Sequence, residues 1–203
     1  MSRVPRCCRN DAGRCASVFR RSLLKCFRGR RRAQSQGMSR LLQVNLQHSR
    51  AATAVLCSSI ACKAVDFVLV QEPWVKVGGI AGMGLVGGTI VSPPVRDPRT
   101  CIWVRHGIVS FPVLDFCSRD VTTVRTVCRS TGRPLLLASV YMPQEATHPP
   151  PREMRLLVDH AIESNLDLVV CCDANARNMV WGCRVTNARG KSLLDYLVSR
   201  GLM

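Results

Sequence analysis

Four apolar runs of strand length end on polar side chains of the types that hydrolytic enzymes use. These side chains are Asn45, Glu72, Tyr141, Asp173 and Asn175. If the strands pack side by side, their ends meet along one edge of the core. Carboxylate and amide oxygens gathered there suit a hard cation such as Mg²⁺. The pattern therefore predicts a divalent-ion site at one rim of the fold.

Phosphodiester hydrolysis is the chemistry that this set of side chains suits. The reaction needs a metal ion on a phosphoryl or leaving oxygen, a carboxylate that activates water, and neutral donors for the phosphate. Glu72 fits the first task and Asp173 the second, whereas Asn45, Tyr141 and Asn175 fit the third. Each residue alone is more typical of a solvated turn or a packed aromatic, so the prediction depends on their joint order along the chain.

The elements that must position these residues mix strands and helices. Periodicity predicts strands over 41–47, 65–71, 101–105, 109–114, 121–129, 135–141 and 167–172, and helices over 49–63, 153–165 and 191–202. Ser49 is the expected N-cap of the first helix. The expected buried side of the last helix consists of Leu193, Leu194, Leu197 and Val198. This order suits an α/β fold with a two-sheet core covered by helices.

Positive charge is concentrated at the start of the chain. Of the formal net charge of +16, residues 1–40 carry +11 and the remainder only +5. We interpret 1–37 as a disordered arginine-rich arm and 38–203 as the folded domain. The densest part of the arm contains Arg28, Arg30, Arg31 and Arg32. Such a segment binds phosphate backbones through counterion release, so the arm predicts contacts with nucleic acid, either DNA or RNA.

Three interpretations of the arm remain open from the sequence. It suits a nucleic-acid-binding or nuclear-import segment, which predicts an intracellular and nuclear protein. It also suits read-through from an upstream frame, with Met38 close to the natural start. A mitochondrial presequence is the weaker alternative, because the segment mixes arginines with apolar residues and is almost free of acids.

Membrane and disulfide-rich classes are disfavoured. No apolar run reaches the roughly 18 to 20 residues that a membrane span needs, so we expect a soluble protein with no membrane partner. The 12 cysteines form no paired C-x-x-C array, which argues against a zinc site. We interpret them as reduced cysteines that pack as small apolar side chains.

Five short segments give a further indication through their residues and through their order along the chain. They read QVNLQ at 43–47, VQEPW at 70–74, SVYMP at 139–143, CDANA at 172–176 and NARG at 187–190. Together they resemble the endonuclease/exonuclease/phosphatase superfamily. More closely, they resemble the apurinic-endonuclease-like domain of insect-type non-LTR retrotransposons, over about 41–203.

The resemblance implies a four-layered α/β sandwich with its active site at one rim. It implies Mg²⁺, or Mn²⁺ in its place, held by Glu72 with help from Asn45. Tyr141 and Asn175 would contact the phosphate, and Asp173 would orient and deprotonate the attacking water. In such elements the enzyme nicks one strand of target DNA, and the freed 3′-hydroxyl primes reverse transcription.

The sequence departs from the family at two places. Arg177 and Asn178 stand where the family often has histidines, and we expect them to contact solvent or DNA. The family also continues with an aspartate and a Ser-Asp-His segment beyond the position of Met203. We therefore expect a C-terminally truncated domain with impaired activity. The alternatives are a fragment that only binds nucleic acid through its arm, and a phosphomonoesterase of the same superfamily.

Overall fold

A computed structural model describes residues 16–21 (backbone only), 39–77, 79–84, 87–145 and 149–202. The helices are α1 (Arg50–Cys62), α2 (Arg152–Glu163) and α3 (Ala188–Ser199). The strands are β1 (Ala16–Arg21), β2 (Leu41–Asn45), β3 (Phe67–Gln71), β4 (Val75–Lys76), β5 (Gly79–Ile80), β6 (Gly88–Val91), β7 (Thr100–Arg105), β8 (Ser110–Pro112), β9 (Val121–Val127), β10 (Pro134–Tyr141) and β11 (Asp167–Asp173). Leu114–Phe116 and Met179–Trp181 form short 3-10 helices.

Two β-sheets form the middle of the fold. One has the order β1-β11-β10-β9-β8, and the other has the order β2-β3-β7-β6. Within them β10 pairs with β11, and β2 with β3, in parallel; the other neighbours are antiparallel. Helix α1 packs on the outer face of the four-stranded sheet, and α2 and α3 pack on the outer face of the five-stranded sheet. The predicted four-layered α/β sandwich is confirmed.

Alternation along the strands separates the inner core from the outer ones. In β3, Phe67 and Leu69 face the other sheet, whereas Val68 and Val70 pack under α1. Every residue of β3 is buried, because α1 covers one face of the strand and the other sheet covers the opposite face. The inner layer is completed by Ile102, Val104, Val124, Leu135, Leu137, Val169 and Cys171.

The helices match the sequence pattern with one exception. Ser49 caps α1 as predicted, since its hydroxyl accepts a hydrogen bond from the backbone N–H of Ala52 at 3.2 Å. In α3, Leu193 and Leu197 are buried as predicted. The prediction is wrong for Val198, which is 62% exposed. Leu193 and Leu197 lie four residues apart on the face toward the sheet, and the next position along a helix turns by about 100° toward solvent.

The prediction of an arm without regular structure is wrong for residues 16–21. Their backbone forms β1, which pairs antiparallel with β11 from Ala16 opposite Asp173 to Arg21 opposite Leu168. Periodicity did not indicate it, because an edge strand can form through backbone hydrogen bonds to its neighbour. The rest of the predicted arm lies outside the described residues. The binding role assigned to Arg28, Arg30, Arg31 and Arg32 therefore stays a prediction.

The cysteines of the described part are free thiols, and Cys101, Cys171 and Cys172 are buried within strands. None of the helices in the described ranges combines the length and apolar character needed to cross a bilayer.

A close backbone contact explains why glycine follows Arg189 in the NARG segment. A Cβ atom added to Gly190 would lie 1.9 Å from the carbonyl oxygen of Arg177. That carbonyl also accepts a hydrogen bond from the N–H of Asn187 at 3.0 Å. The start of α3 is therefore packed against the loop that follows β11.

We expect Gly190→Ala to lower the free energy of unfolding by about 1 to 3 kcal/mol, the usual cost of overpacking. The sign is informative, since alanine in a helix interior otherwise stabilises relative to glycine. Denaturant unfolding measures the change. Gly84→Ala is the matched control, because nothing lies within 4 Å of an added Cβ there. A Gly190→Ala protein as stable as the control would contradict the contact.

Candidate active site

Strand alternation brings Asn45, Tyr141 and Asp173 to one edge of the space between the sheets. Counting back by two from Tyr141 and from Asp173 reaches Ser139 and Cys171, which are buried between the sheets. Tyr141 and Asp173 are direct neighbours in the parallel pair β10–β11. Because β2, β3, β10 and β11 all end at this edge, we call it the site rim. The edge where these strands begin is the opposite rim.

A hydrogen bond across the two sheets joins Asn45 to Asp173. The Asn45 side-chain amide donates to the Asp173 carboxylate at 2.5 Å. The other carboxylate oxygen accepts from the backbone N–H of Asn175 at 3.2 Å. Asp173 is 1% exposed, so these neutral donors fix the direction of a buried carboxylate. Residues 128 positions apart in the chain thus meet in one site.

Glu72 and Tyr141 form the second pair of the site. Glu72 is 8% exposed and follows the end of β3. Burial, together with the negative charge of Glu72 and a hydrogen bond to it, raises the pKa of Tyr141 to about 12, and the charge of Asp173 adds to this. The phenol therefore keeps its proton at neutral pH and remains a hydrogen-bond donor.

The backbone of the site rim contains several residues in the left-handed region. Of the six non-glycine residues with positive φ in the described part, four lie at this rim. They are Gln47, His48, Glu72 and Asn175, with φ between 45° and 55°. Such conformations cost roughly 1 to 3 kcal/mol each, and they concentrate at functional sites. The strained loops turn polar side chains back over the strand ends.

A layer of buried and partly buried polar side chains lies directly beneath the site. The Gln71 side-chain amide donates to the Ser139 hydroxyl at 2.9 Å, and that hydroxyl donates to the Val70 carbonyl at 2.8 Å. The Gln43 amide reaches the carbonyl of Cys172 at 2.7 Å. These bonds connect the two sheets one side-chain layer below the residues of the site.

The donor set of the site fits Mg²⁺. Glu72 and Asp173 supply carboxylate oxygens, and the Asn45 carbonyl oxygen has two lone pairs, of which the Gln47 N–H uses one at 2.8 Å. Among the described residues, no group of three His, Cys, Asp or Glu side chains could hold a metal ion. Mg²⁺ does not need one, because it is commonly held by one or two carboxylates and keeps several waters. Glu72 with Asn45 could therefore hold the ion.

Of the two loop residues predicted to contact DNA or solvent, only Arg177 is exposed. The prediction is wrong for Asn178, which is 3% exposed. Its side-chain amide donates to the Gly190 carbonyl at 3.1 Å, and its oxygen accepts from the Val180 N–H at 3.0 Å. Asn178 is thus a structural residue that caps a 3-10 turn. The neighbouring Asn175 donates to the Met142 carbonyl at 3.1 Å, which places it beside the end of β10.

His48 is a residue of the site that the sequence interpretation did not include. Its Nε2 atom lies 3.9 Å from a carboxylate oxygen of Glu72, and its Nδ1 atom lies 2.9 Å from the Pro73 carbonyl oxygen. The signal available in the sequence was its position, three residues after Asn45 in the same loop.

Two arginines near Tyr141 were also missed. The guanidinium of Arg99 lies 5.0 Å from the centre of the Tyr141 ring and forms two hydrogen bonds with Asp120, at 2.5 and 2.7 Å. Arg189 donates to the Met142 carbonyl at 3.2 Å. Both bring positive charge to the end of β10. Neither was predictable by strand periodicity, because Arg99 lies in a loop and Arg189 in a helix.

We expect the tyrosines of the folded protein to remain neutral at pH 10. Tyr141 and Tyr196 are the two tyrosines of the sequence, and burial first of all raises the pKa of each from 10.0 to about 12. Between pH 10 and 12 the two tyrosines ionise in the unfolded chain but not in the folded chain. The free energy of unfolding therefore falls as the pH rises from 10 toward 12. Tyrosinate absorbance measures the ionisation.

Tyr196→Phe isolates the signal of Tyr141. An ordinary titration near pH 10 in this folded variant would contradict the buried hydrogen-bonded placement of Tyr141 beside Glu72.

Comparisons with known proteins agree with this architecture. Residues 135–203 match a family model described as endonuclease-reverse transcriptase. Among solved structures, the endonuclease domain of TRAS1, a telomere-specific non-LTR retrotransposon, matches with a TM-score of 0.64 at 24% identity, over 80% of this chain and 71% of that one. An endonuclease/exonuclease/phosphatase family protein from Leptotrichia buccalis matches with a TM-score of 0.52 at 12% identity, over 80% and 73%. A search of curated protein sequences gave no match. The chain thus has the same fold as these two structures, and its residues 135–203 match the endonuclease-reverse transcriptase family model.

Proposed function

We propose that this chain is a Mg²⁺-dependent phosphodiesterase that nicks DNA, the endonuclease module of a non-LTR retrotransposon polyprotein. The observation that carries the proposal is the junction of the two sheets at the site rim. There Asn45 donates to Asp173 at 2.5 Å, and Tyr141 is hydrogen-bonded to Glu72. Two carboxylates, an amide and a neutral phenol are thereby gathered at one point of the site rim.

Each side chain has one task in the proposed reaction. Glu72 and Asn45 would hold Mg²⁺, or Mn²⁺ in its place, which when bound would stabilise negative charge on a phosphoryl or leaving oxygen. Asp173 takes a proton from the attacking water, and its hydrogen bond from Asn45 keeps it pointed at that water. On substrate binding the single O–H of Tyr141 moves its hydrogen bond from Glu72 to a phosphate oxygen, where negative charge grows in the transition state. Asn175 is a second neutral donor to the phosphate.

The charge distribution supports DNA over a small phosphomonoester as the substrate. Residues 1–40 carry a net charge of +11, and a run of cations gains affinity from each phosphate that it neutralises. A small phosphomonoester offers one such group, whereas a DNA strand offers many. The same arm would bind element RNA, and a DNA target places the site of action in the nucleus.

We expect the chain to convert supercoiled plasmid to the open-circular form only when Mg²⁺ or Mn²⁺ is present. Glu72→Gln and Asp173→Asn should each lower the rate by about 100-fold or more, because each removes a charge that acts in the transition state. Gel electrophoresis of the plasmid over time measures the rate. Glu163→Gln and Asp195→Asn are matched controls, since they make the same chemical changes at exposed helix positions.

A Glu72→Gln protein that nicks as fast as its control would contradict the proposed site. Hydrolysis of a phosphomonoester without plasmid nicking would favour a phosphatase instead. Binding of plasmid without cleavage by the unmodified chain would favour a protein that only binds nucleic acid.

A further inference from the structure

A cluster of two cations around a tryptophan lies beside Glu72. Trp74 follows Glu72 by two residues and is half-buried, whereas Arg50 and Lys76 are exposed. The guanidinium carbon of Arg50 lies 5.6 Å from the centre of the Trp74 ring, and the ammonium nitrogen of Lys76 lies 4.9 Å from it. We call these three residues the Trp74 surface. The roles assigned to the site rim above do not include it.

The Trp74 surface is held in place by its backbone. The Trp74 carbonyl accepts a hydrogen bond from the Ala81 N–H at 2.9 Å, next to the β4–β5 hairpin that carries Lys76. A Cβ atom added to Gly82 would lie 3.2 Å from the Trp74 ring and 3.1 Å from the Thr53 side chain. This close packing of the hairpin, the ring and α1 fixes the backbone from which Lys76 and Arg50 extend.

Arg50 and Lys76 belong to the described cations that form no ion pair with a described carboxylate, as do Arg40 and Lys63. Several other arginines form ion pairs with Asp or Glu: Arg99, Arg105, Arg129, Arg133 and Arg200. In the part of the chain that the structure describes, no carboxylate lies within ion-pair distance of Arg50 or Lys76. The face of an indole ring attracts both cations but leaves their net charge uncancelled. An anion that reaches both would complete the arrangement.

The spacing of the two cations suits a nucleic-acid strand. They lie no further apart than the sum of their distances to the ring centre, and successive phosphates of a B-DNA strand rise by about 3.4 Å along the helix axis. Both cations can therefore reach phosphates of neighbouring nucleotides on one strand. A strand with a phosphate at Glu72 would place the adjoining phosphates along this same edge of the rim.

We propose that Arg50, Trp74 and Lys76 bind the phosphate backbone of the DNA strand next to the phosphate that is cut. The proposal rests on the nuclease function proposed above and adds a positioning surface to it. Arg50 and Lys76 neutralise phosphates, and Trp74 holds the two side chains at a fixed separation. Binding here determines where the strand lies relative to Glu72 and Asp173.

The test measures affinity of the full chain for a labelled DNA duplex by fluorescence anisotropy, without divalent ions so that no cleavage occurs. The slope of log K against log salt concentration should shrink by about 0.9 for Arg50→Gln and again for Lys76→Gln, one phosphate contact each. The matched controls are Arg40→Gln and Lys63→Gln. Both are exposed at the opposite rim, and we expect them to keep the slope of the unmodified chain.

Two results would overturn the Trp74 surface. One is an unchanged slope in the Arg50→Gln, Lys76→Gln double variant. The other is an equal loss in the opposite-rim controls, which would mean that only net charge matters.

The Glu72→Gln variant tests the nuclease proposal separately from the Trp74 surface. It should lose nicking, but it should bind DNA at least as tightly as the unmodified chain. If no variant or parent nicks plasmid but the slope still shrinks, the surface stands and the nuclease proposal falls. If nicking persists, the double variant should raise KM more than it lowers kcat, and an unchanged KM would count against the surface.

Discussion

The candidate site exists only if the two sheets keep one fixed position relative to each other. The hydrogen bond from Asn45 to Asp173, which joins the two sheets, depends on that position. Apolar packing between the sheets is non-directional, so it tolerates sliding. The buried bonds of Gln71 and Ser139 do not, because a shifted sheet would leave these polar groups without partners, at about 1 to 3 kcal/mol for each. The buried polar layer therefore determines how far Glu72 stands from Asp173.

The strands and the loops position different residues of the site. The strands bring Asn45, Tyr141 and Asp173 to the rim through main-chain pairing, which positions their Cα atoms closely. The loops then turn through left-handed conformations at residues such as Glu72 and Asn175. Strand packing alone would leave Glu72 pointing along its strand, so the loops determine which groups converge. The raised pKa of Tyr141 reports this convergence, since burial and two nearby carboxylates produce it.

The parts of the fold that sequence could predict are those with a repeating pattern. Buried strands such as β10 and β11 have a continuous apolar run with a polar residue at its end, so both the strands and the rim residues were recognisable. Residues whose partners come from elsewhere in the chain were not. Asn178 is polar and follows the segment CDANA, yet it is buried because its side-chain amide donates a hydrogen bond to the Gly190 carbonyl. His48 belongs to the site only because Glu72 comes to lie beside it, and β1 forms only because β11 offers an edge.

The central claim is that residues from both sheets form one site around a divalent cation that Glu72 and Asn45 hold. A crystal of the chain grown with Mn²⁺ tests it directly, because the anomalous scattering of manganese locates the ion without reference to activity. The account predicts one strong anomalous peak in contact with the Glu72 carboxylate, with the Asn45 oxygen and Asp173 bordering it. A peak bound elsewhere, with the Glu72 carboxylate free of metal, would contradict the account.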